Sequence, residues 1–145
     1  MKTLPIQSTD GDAHTALVSG KKYDVYKLIH FSRETEVVTL PVERLLCGSL
    51  WEPCWSDEGG LPLAPGMLFR IYKEEGNWKV VGEKYPAYHD HIVKVLTADY
   101  SFPLLMYEDD VIDGMHRIVR ALCDGMSELP VRILKELPEE ARYQG

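Results

Sequence analysis

Residues 103–134 read PLLMYEDDVIDGMHRIVRALCDGMSELPVRIL, and this stretch predicts the centre of the fold. The apolar run Pro103–Met106 predicts a strand, which is followed by an acidic turn and a short apolar pair. After Gly114 the apolar residues change to helical spacing, on one face that holds Ile118, Val119, Leu122 and Cys123. Gly125 is typical of a helix C-cap, and Leu129–Leu134 then returns as a strand. The stretch therefore predicts one strand-turn-helix-turn-strand unit.

The glycine turn that leads into this helix is suited to binding anions. His116 and Arg117 lie in the first helical turn, where backbone N–H groups and the positive end of the helix dipole point outward. A purely structural role, without a bound anion, is the alternative explanation of these residues. Asp113 would then cap the helix, and Arg117 would pair with a surface carboxylate such as Asp109 or Asp110.

The core Asp113-Gly-Met-His-Arg117 resembles the signature of the ParB/sulfiredoxin superfamily. The later residues of the signature also agree, namely Arg120-Ala121, Gly125 and Pro130-Val131. The resemblance covers residues 37–46 and 85–134, and it is strongest to small stand-alone ParB-like proteins. It implies an α+β fold with a small mixed sheet and packed helices. A β-hairpin inserted near residues 67–81 is predicted in addition, from alternating apolar residues around Glu74-Glu75-Gly76.

The resemblance also implies a nucleotide site at this core. The residues expected to hold phosphate groups are Gly114, Met115, His116, Arg117, Arg120 and, from the preceding helix, His91. Asp113 matches an aspartate that takes part in phosphoryl transfer in the free-serine kinases of the superfamily, which implies ATP or another nucleotide together with Mg²⁺. Met115 stands where sulfiredoxins have their nucleophilic cysteine, and a thioether cannot replace a thiolate. Reduction of a sulfinic acid is therefore disfavoured.

Glu52 is the second candidate catalytic residue. It lies between Trp51 and Trp55 in a loop rich in glycine and proline, where a carboxylate in a partly apolar setting would suit a general base. The alternative is that the tryptophans pack on the core and Glu52 is a surface residue. His89 and His91 cannot share one helical face, so we expect no two-histidine metal site from that pair.

These observations predict a nucleotide-binding domain, with NTP hydrolysis or phosphoryl transfer to a small-molecule acceptor as its activity. A non-catalytic nucleotide-sensing or protein-interaction module is the alternative. A nucleic-acid-binding or nuclease domain is a weaker alternative, because the net charge is −7 and only Lys21-Lys22 form an adjacent basic pair. Duplex DNA is therefore not an expected partner, whereas a homo-oligomer is compatible with the sequence.

The length of 145 residues predicts a single domain over residues 1–145. The chain has neither an apolar run of membrane-spanning length nor the apolar core of a signal peptide at its N-terminus, which predicts a cytoplasmic protein. Three cysteines without paired spacing indicate reduced thiols. The other predicted elements are a helix over 22–33, a strand over 36–40, a short helix over 41–46, a loop over 47–66, a helix over 85–96 and loosely ordered ends at 1–20 and 136–145.

Overall fold

The computed structural model describes residues 15–18, 20–45, 48–52 and 55–143, and within them the protein is α+β, as predicted. The strands are β1 Thr15–Val18, β2 Lys21–Asp24, β3 Val37–Pro41, β4 Trp55–Ser56, β5 Pro62–Leu63, β6 Leu104–Tyr107, β7 Asp110–Asp113 and β8 Glu128–Leu134. The α-helices are α1 Val25–Phe31, α2 Pro65–Glu75, α3 Trp78–Lys84, α4 His89–Leu96 and α5 Met115–Cys123. Short 3-10 turns cover Ser32–Glu34, Val42–Leu45, Gly48–Trp51, Pro86–Tyr88 and Glu139–Ala141.

The central sheet has four strands in the order β3-β8-β6-β7. Strand β8 pairs antiparallel with β3 and parallel with β6, and β6 forms an antiparallel hairpin with β7. Helix α5 is the connection that allows β8 to return parallel to β6, since a parallel pair needs a crossover. The predicted strand-turn-helix-turn-strand unit is confirmed, and it forms three of the four strands of this sheet.

Strand β6 is buried on both of its faces, and the alternation of its side chains shows how. Leu104 and Met106 pack with apolar residues of α2, α4 and α5 on one face. Leu105 points to the opposite face and packs with residues of α1, β1 and β2. This two-sided burial fixes the position of β6, and the start of α5 is built directly on it.

The two ends of α5 each use a glycine. Gly114 is the N-cap with φ of 119°, and Gly125 follows the helix with φ of 76°. At the C-terminal end, the N–H of Met126 donates to the carbonyl of Ala121 and the N–H of Gly125 donates to that of Leu122, at 2.9 and 3.2 Å. This pair of hydrogen bonds is the Schellman motif, so the predicted role of Gly125 in ending the helix is confirmed.

The predicted β-hairpin near residues 67–81 is wrong, because this segment forms α2 and α3. Leu68 and Ile71 are buried at helical spacing. The predicted hairpin rests instead on the alternation of Phe69 and Ile71 with Arg70 and Tyr72. Gly76, with φ of 73°, ends α2, and the side chain of Asn77 accepts hydrogen bonds from the first turn of α3. The glycine therefore ends one helix and the asparagine begins the next, so that no strands are joined here.

The other predicted helix and strand boundaries lie closer to those of the structure. The helix expected over 22–33 begins at Val25, because Asp24 ends β2 and caps α1 through its side chain. The strand after it and the short helix that follows are present as β3 and the turn Val42–Leu45. The helix expected over 85–96 is the turn Pro86–Tyr88 followed by α4.

The predicted loops and ends also contain regular structure. The loop expected over 47–66 contains a 3-10 turn and the short hairpin of β4 and β5. Of the predicted loose ends, residues 15–18 form β1, and Ala141 is buried in a 3-10 turn. Residues 1–14 and 144–145 lie outside the described residues.

Candidate functional site

The first turn of α5 begins at a glycine that the fold requires. A Cβ atom at Gly114 would lie 2.5 Å from Cδ2 of Leu104, and the φ of 119° is itself unsuited to other residues. Gly114, and not Asp113, is the N-cap, so the structural alternative in which Asp113 caps the helix is wrong. Glycine has no side chain that could cap the helix. The N–H groups of the first turn therefore receive no side-chain acceptor from the N-cap residue.

Asp113 and Arg117 form an ion pair at the start of α5. Nη2 of Arg117 donates to Oδ2 of Asp113 at 2.7 Å, and the two side chains are only 17% and 16% exposed. Nη1 of the same guanidinium donates to the carbonyls of Pro103 and Phe102, at 2.7 and 3.2 Å. Arg117 therefore ties the end of β7 to the segment that leads into β6. The sequence had suggested Asp109 or Asp110 as its partner, and the partner in the structure is Asp113.

Arg120 is also bound within the fold. Its Nη1 donates to the carbonyl of Leu96 at 2.6 Å and its Nε to Oδ2 of Asp124 at 3.1 Å. The hydroxyl of Tyr100 donates to the same carboxylate oxygen at 3.0 Å. Arg120 thus caps the C-terminal end of α4 and fastens it to α5, the usual place for a cation at a helix C-terminus.

His91 and His116 meet in a cluster that we call the ring stack, which consists of these two histidines and Trp55. Nδ1 of His91 lies 3.0 Å from Nε2 of His116, across the contact between α4 and α5. The Trp55 ring lies parallel to both imidazoles, with centroid separations of 4.4 Å to His91 and 4.1 Å to His116. The structure therefore brings together two of the predicted site residues and adds Trp55 from the β4–β5 hairpin.

The hydrogen bonds of the ring stack determine where its protons lie. Nε2 of His91 is 2.8 Å from the carbonyl of Ser56, and a carbonyl can only accept, so this nitrogen carries a proton. In the neutral imidazole, Nδ1 of His91 is then an acceptor, and Nε2 of His116 donates to it. Three elements, namely the hairpin, α4 and α5, are linked in this way by two histidine side chains.

The pKa of His91 is lowered from its ordinary value, chiefly because burial disfavours the charged imidazolium. Lys94 on the same helix lowers this pKa further. The hydrogen bond to Ser56 and the carboxylates of Asp90 and Asp57 oppose the shift, but they do not outweigh burial. Burial therefore favours the neutral form of His91.

Glu52, the second predicted catalytic residue, is exposed and lies just after the turn Gly48–Trp51. That turn contacts β7, the strand that ends in Asp113. Trp51 lies beside Gly66 of α2, where a Cβ atom would come within 2.6 Å of the indole. Trp51, which is 44% exposed, therefore packs only partly against α2, and Glu52 lies at the surface.

A cleft of about 590 Å³ lies between α1 and the C-terminal residues, on a different part of the molecule. It is lined by Tyr26, Lys27, His30, Phe31, Arg33, Pro138, Glu140 and Ala141. None of the predicted site residues lines it, whereas two of them, His91 and His116, meet in the ring stack. The cleft is therefore separate from the candidate site at the first turn of α5.

Metal ligands and reactive thiols are not prominent in the described part of the chain. Among residues 15–18, 20–45, 48–52 and 55–143, no group of three or more His, Cys, Asp or Glu side chains is placed to hold a metal ion. Burial raises the pKa of the Cys123 thiol to about 12, so this cysteine is not an activated nucleophile. No helix within the described ranges is both long and apolar enough to cross a membrane.

Comparison with known proteins gave no match to a family model, to a curated protein or to a solved structure. The site is therefore defined by its own geometry. Sequence reasoning selected His91 and His116 separately but missed their hydrogen bond and the contribution of Trp55 and the Ser56 carbonyl. The one available signal was a tryptophan in a polar loop, which must either pack on the core or line a site.

Proposed function

We propose that this chain binds a phosphorylated ligand, most simply a nucleotide, at the first turn of α5. The observation that carries the proposal is the position of His116. It lies in a helical turn whose N-cap supplies no side-chain acceptor, and His91 and Trp55 hold its ring. Helix N-termini attract anions through their N–H groups and dipole, and a protonated imidazole adds positive charge at the same place.

The backbone and His116 would make the main contacts with the phosphate group. Fewer residues would therefore contact the ligand than the sequence predicts. The guanidinium groups of Arg117 and Arg120 donate to carbonyls and carboxylates of the fold. They would have to give up these hydrogen bonds to reach a ligand. We therefore assign phosphate contacts to the N–H groups of Met115–Arg117 and to His116, with Gly114 allowing close approach because it lacks a side chain.

Binding without turnover is the form of the function that the geometry favours. The Asp113 carboxylate would have to leave its 2.7 Å ion pair with Arg117 to accept a proton or to bind Mg²⁺. Mg²⁺ in nucleotide sites is held by one or two carboxylates together with the phosphates, and Asp113 would be free for that role only if Arg117 released it. A nucleotide-sensing module is thus preferred to an NTPase or kinase, and the resemblance to ParB/sulfiredoxin proteins supports the choice of site.

The test is a titration with ATP, ADP, GTP, CTP and pyrophosphate, with and without Mg²⁺, followed by thermal unfolding and calorimetry. A ligand present at about 100 times its Kd stabilises the folded state by roughly 2.7 kcal/mol. We expect stabilisation by at least one of these ligands and no release of inorganic phosphate. The His116→Gln protein should bind about tenfold more weakly, because a charged hydrogen bond contributes roughly 1.5–3 kcal/mol.

The matched control is His89→Gln, which alters an exposed histidine of α4 outside the ring stack and should leave the affinity unchanged. If millimolar concentrations of every ligand leave the unfolding temperature unchanged, the proposed function is incorrect. Phosphate release that depends on Mg²⁺ and is lost in Asp113→Asn would instead favour the enzyme.

A further inference from the structure

Strand β3 forms one edge of the central sheet, and its outer side is open. In the part of the chain that the structure describes, β3 pairs with β8 and with no other strand. Val37, Val38 and Thr39 are all exposed, the two valines at 42% and 37%. Since successive side chains point to opposite faces of a sheet, both faces of β3 are open to solvent at this end. An edge of this kind is a template for pairing with another strand.

The hydrogen bonds to β8 show which backbone groups of β3 are already used. Just after β3, the N–H of Val42 donates to the carbonyl of Ser127 at 2.9 Å, in the same register as the strands. Hydrogen-bonded and non-hydrogen-bonded residues alternate along an antiparallel pair. Val38 and Leu40 therefore direct their N–H and C=O groups toward β8.

Val37 and Thr39 direct their backbone groups to the open side of β3. The register agrees with this, because Thr39 lies opposite Pro130, and proline has no N–H to donate to β3. Edge strands are commonly protected by a lysine, an internal proline or a bulge, and Val37–Leu40 contains none of these. Pro41 removes the next outward donor. The edge therefore offers the N–H and C=O groups of two residues.

A second copy of β3 would satisfy these groups if it lay antiparallel, with a two-fold axis at Val38. Val37 of each copy would then lie opposite Thr39 of the other copy. Each of these two pairs exchanges two N–H···O=C hydrogen bonds. A two-fold axis makes the same contact on both copies, so that all four outward donors and all four outward acceptors are paired.

An axis shifted by one residue pairs fewer groups. Centred on Thr39, it places Val37 opposite Pro41, which has no N–H to give. Centred on Val37, it places Thr39 opposite Thr35, whose N–H already donates to the carbonyl of Ser32 at 2.8 Å. The backbone therefore selects the register that is centred on Val38.

The side chains agree with this register. The two copies of Val38 meet as a non-hydrogen-bonded pair, in which side chains are closest, and each covers the exposed apolar surface of the other. Arg33, just before β3, comes toward Glu43, just after β3 in the other copy, and both residues are exposed. Glu34 and Glu36 come opposite apolar residues. The register therefore pairs opposite charges and brings no like charges together along the edge.

We propose that β3 pairs with β3 of a second copy of this chain, so that two central sheets join into one sheet of eight strands. A second copy is the partner because the edge is complementary to itself in hydrogen bonds and in charge. One five-residue strand from each copy is small beside the roughly 1,000 Å² of a stable interface, so the dimer is weak and depends on concentration. Strand β7, which ends at Asp113, lies at the opposite edge of the sheet, so this inference is independent of the proposed ligand site.

Sedimentation equilibrium between about 10 µM and about 1 mM protein tests the association, and NMR hydrogen exchange over the same range tests its geometry. The amides of Val38 and Leu40 should be protected at every concentration, because they donate to β8. The amides of Val37 and Thr39 should exchange rapidly in the monomer and slow as the dimer forms.

Two results of these measurements overturn the proposal. One is a protein that remains monomeric at about 1 mM, which would leave this edge to an extended segment of another protein. The other is a dimer in which the amides of Val37 and Thr39 still exchange rapidly, because its interface would then not be the pairing of β3 strands.

A substitution at the axis tests the position of the interface. Val38→Lys places two lysines opposite each other and should weaken the dimer at least about tenfold. Since Val38 is exposed, the monomer should keep its fold. Leu17→Lys is the matched control, because it changes an exposed apolar residue of β1, outside the central sheet, and should leave the association unchanged. Dimerisation of Val38→Lys with the original affinity would contradict the proposal.

Charge reversal tests the register separately. Arg33→Glu and Glu43→Arg each bring like charges together twice in the dimer, and each should weaken it about threefold or more at low salt. The double variant restores opposite charges and should dimerise like the original protein. The proposed pairing is contradicted if neither single variant weakens the dimer, or if the double variant does not recover the lost affinity.

Discussion

Two side chains that are neighbours in the sequence, His116 and Arg117, have different roles in the structure. Arg117 donates three hydrogen bonds inside the fold, to Asp113 and to the carbonyls of Phe102 and Pro103. His116 instead contacts titratable and aromatic side chains from two other elements, His91 and Trp55. The first arrangement holds α5 in place, and the second carries the contacts of the proposed ligand site. Residues of one short motif can therefore divide between stability and function.

The difference arises from the helical geometry of the motif. Arg117 is four residues after Asp113, and side chains at this spacing lie on the same side of a helix start. His116 is rotated by one residue, which turns its side chain toward α4 and the hairpin. The following predictions test this division, beginning with the change of largest expected effect.

Gly114→Ala should cause the greatest loss of stability. A left-handed residue other than glycine costs roughly 1–2 kcal/mol, and the overlap of the new Cβ with Leu104 adds about 1–3 kcal/mol. Urea denaturation should therefore show a decrease of about 2–5 kcal/mol in the free energy of unfolding. Gly82→Ala in α3 is the control, because it has open space around the new Cβ and should be neutral or slightly stabilising.

Asp113→Asn should destabilise the protein by roughly 1.5–3 kcal/mol, the value of a hydrogen bond between charged partners. If Asp113 acted only as a helix cap, this substitution would cost less stability, since asparagine caps a helix as well as aspartate does. A double-mutant cycle with Arg117→Gln should give a coupling energy of about 1 kcal/mol or more, measured by urea denaturation. Additive effects of the two substitutions would show that the ion pair does not contribute to stability.

The change in stability with pH should be smaller than the effects of the two substitutions above, and it should depend on His91. Because the pKa of His91 is lowered in the folded protein, the unfolded chain binds more protons at pH values just below 6.5. The free energy of unfolding should therefore fall as the pH decreases from 6.5 toward the folded pKa, with no contribution from His91 above that window. The original protein should lose more stability between pH 7.5 and 5 than His91→Asn does, whereas His89→Asn should follow the original protein.

Much of the fold around the site could be predicted, because the signals there are local. The apolar spacing after Gly114 predicted α5, and the position of Gly125 predicted its end. The error at 67–81 came from counting alternation and giving less weight to Gly76-Asn77, a pair that ends one helix and caps the next. Helix caps were thus a better guide in that segment than side-chain alternation.

The ring stack could not be predicted, because it depends on contacts between residues far apart in the chain. His91 and His116 are 25 residues apart, and His91 and Ser56 are 35 residues apart. No periodicity in the sequence links them, and only the packing of α4 on α5 and of the hairpin on both brings them together. The ion pair of Asp113 with Arg117 is the opposite case, since its four-residue spacing was visible in the sequence.

The most direct test of this division is the nucleotide affinity of two single variants, measured side by side by calorimetry. With the best ligand from the titration, His116→Gln should bind about tenfold more weakly and lose less stability than Asp113→Asn does. Asp113→Asn should bind as tightly as the original protein and lose stability. The opposite result, with affinity lost in Asp113→Asn and retained in His116→Gln, would contradict the account and place the ligand on the carboxylate instead of the ring stack.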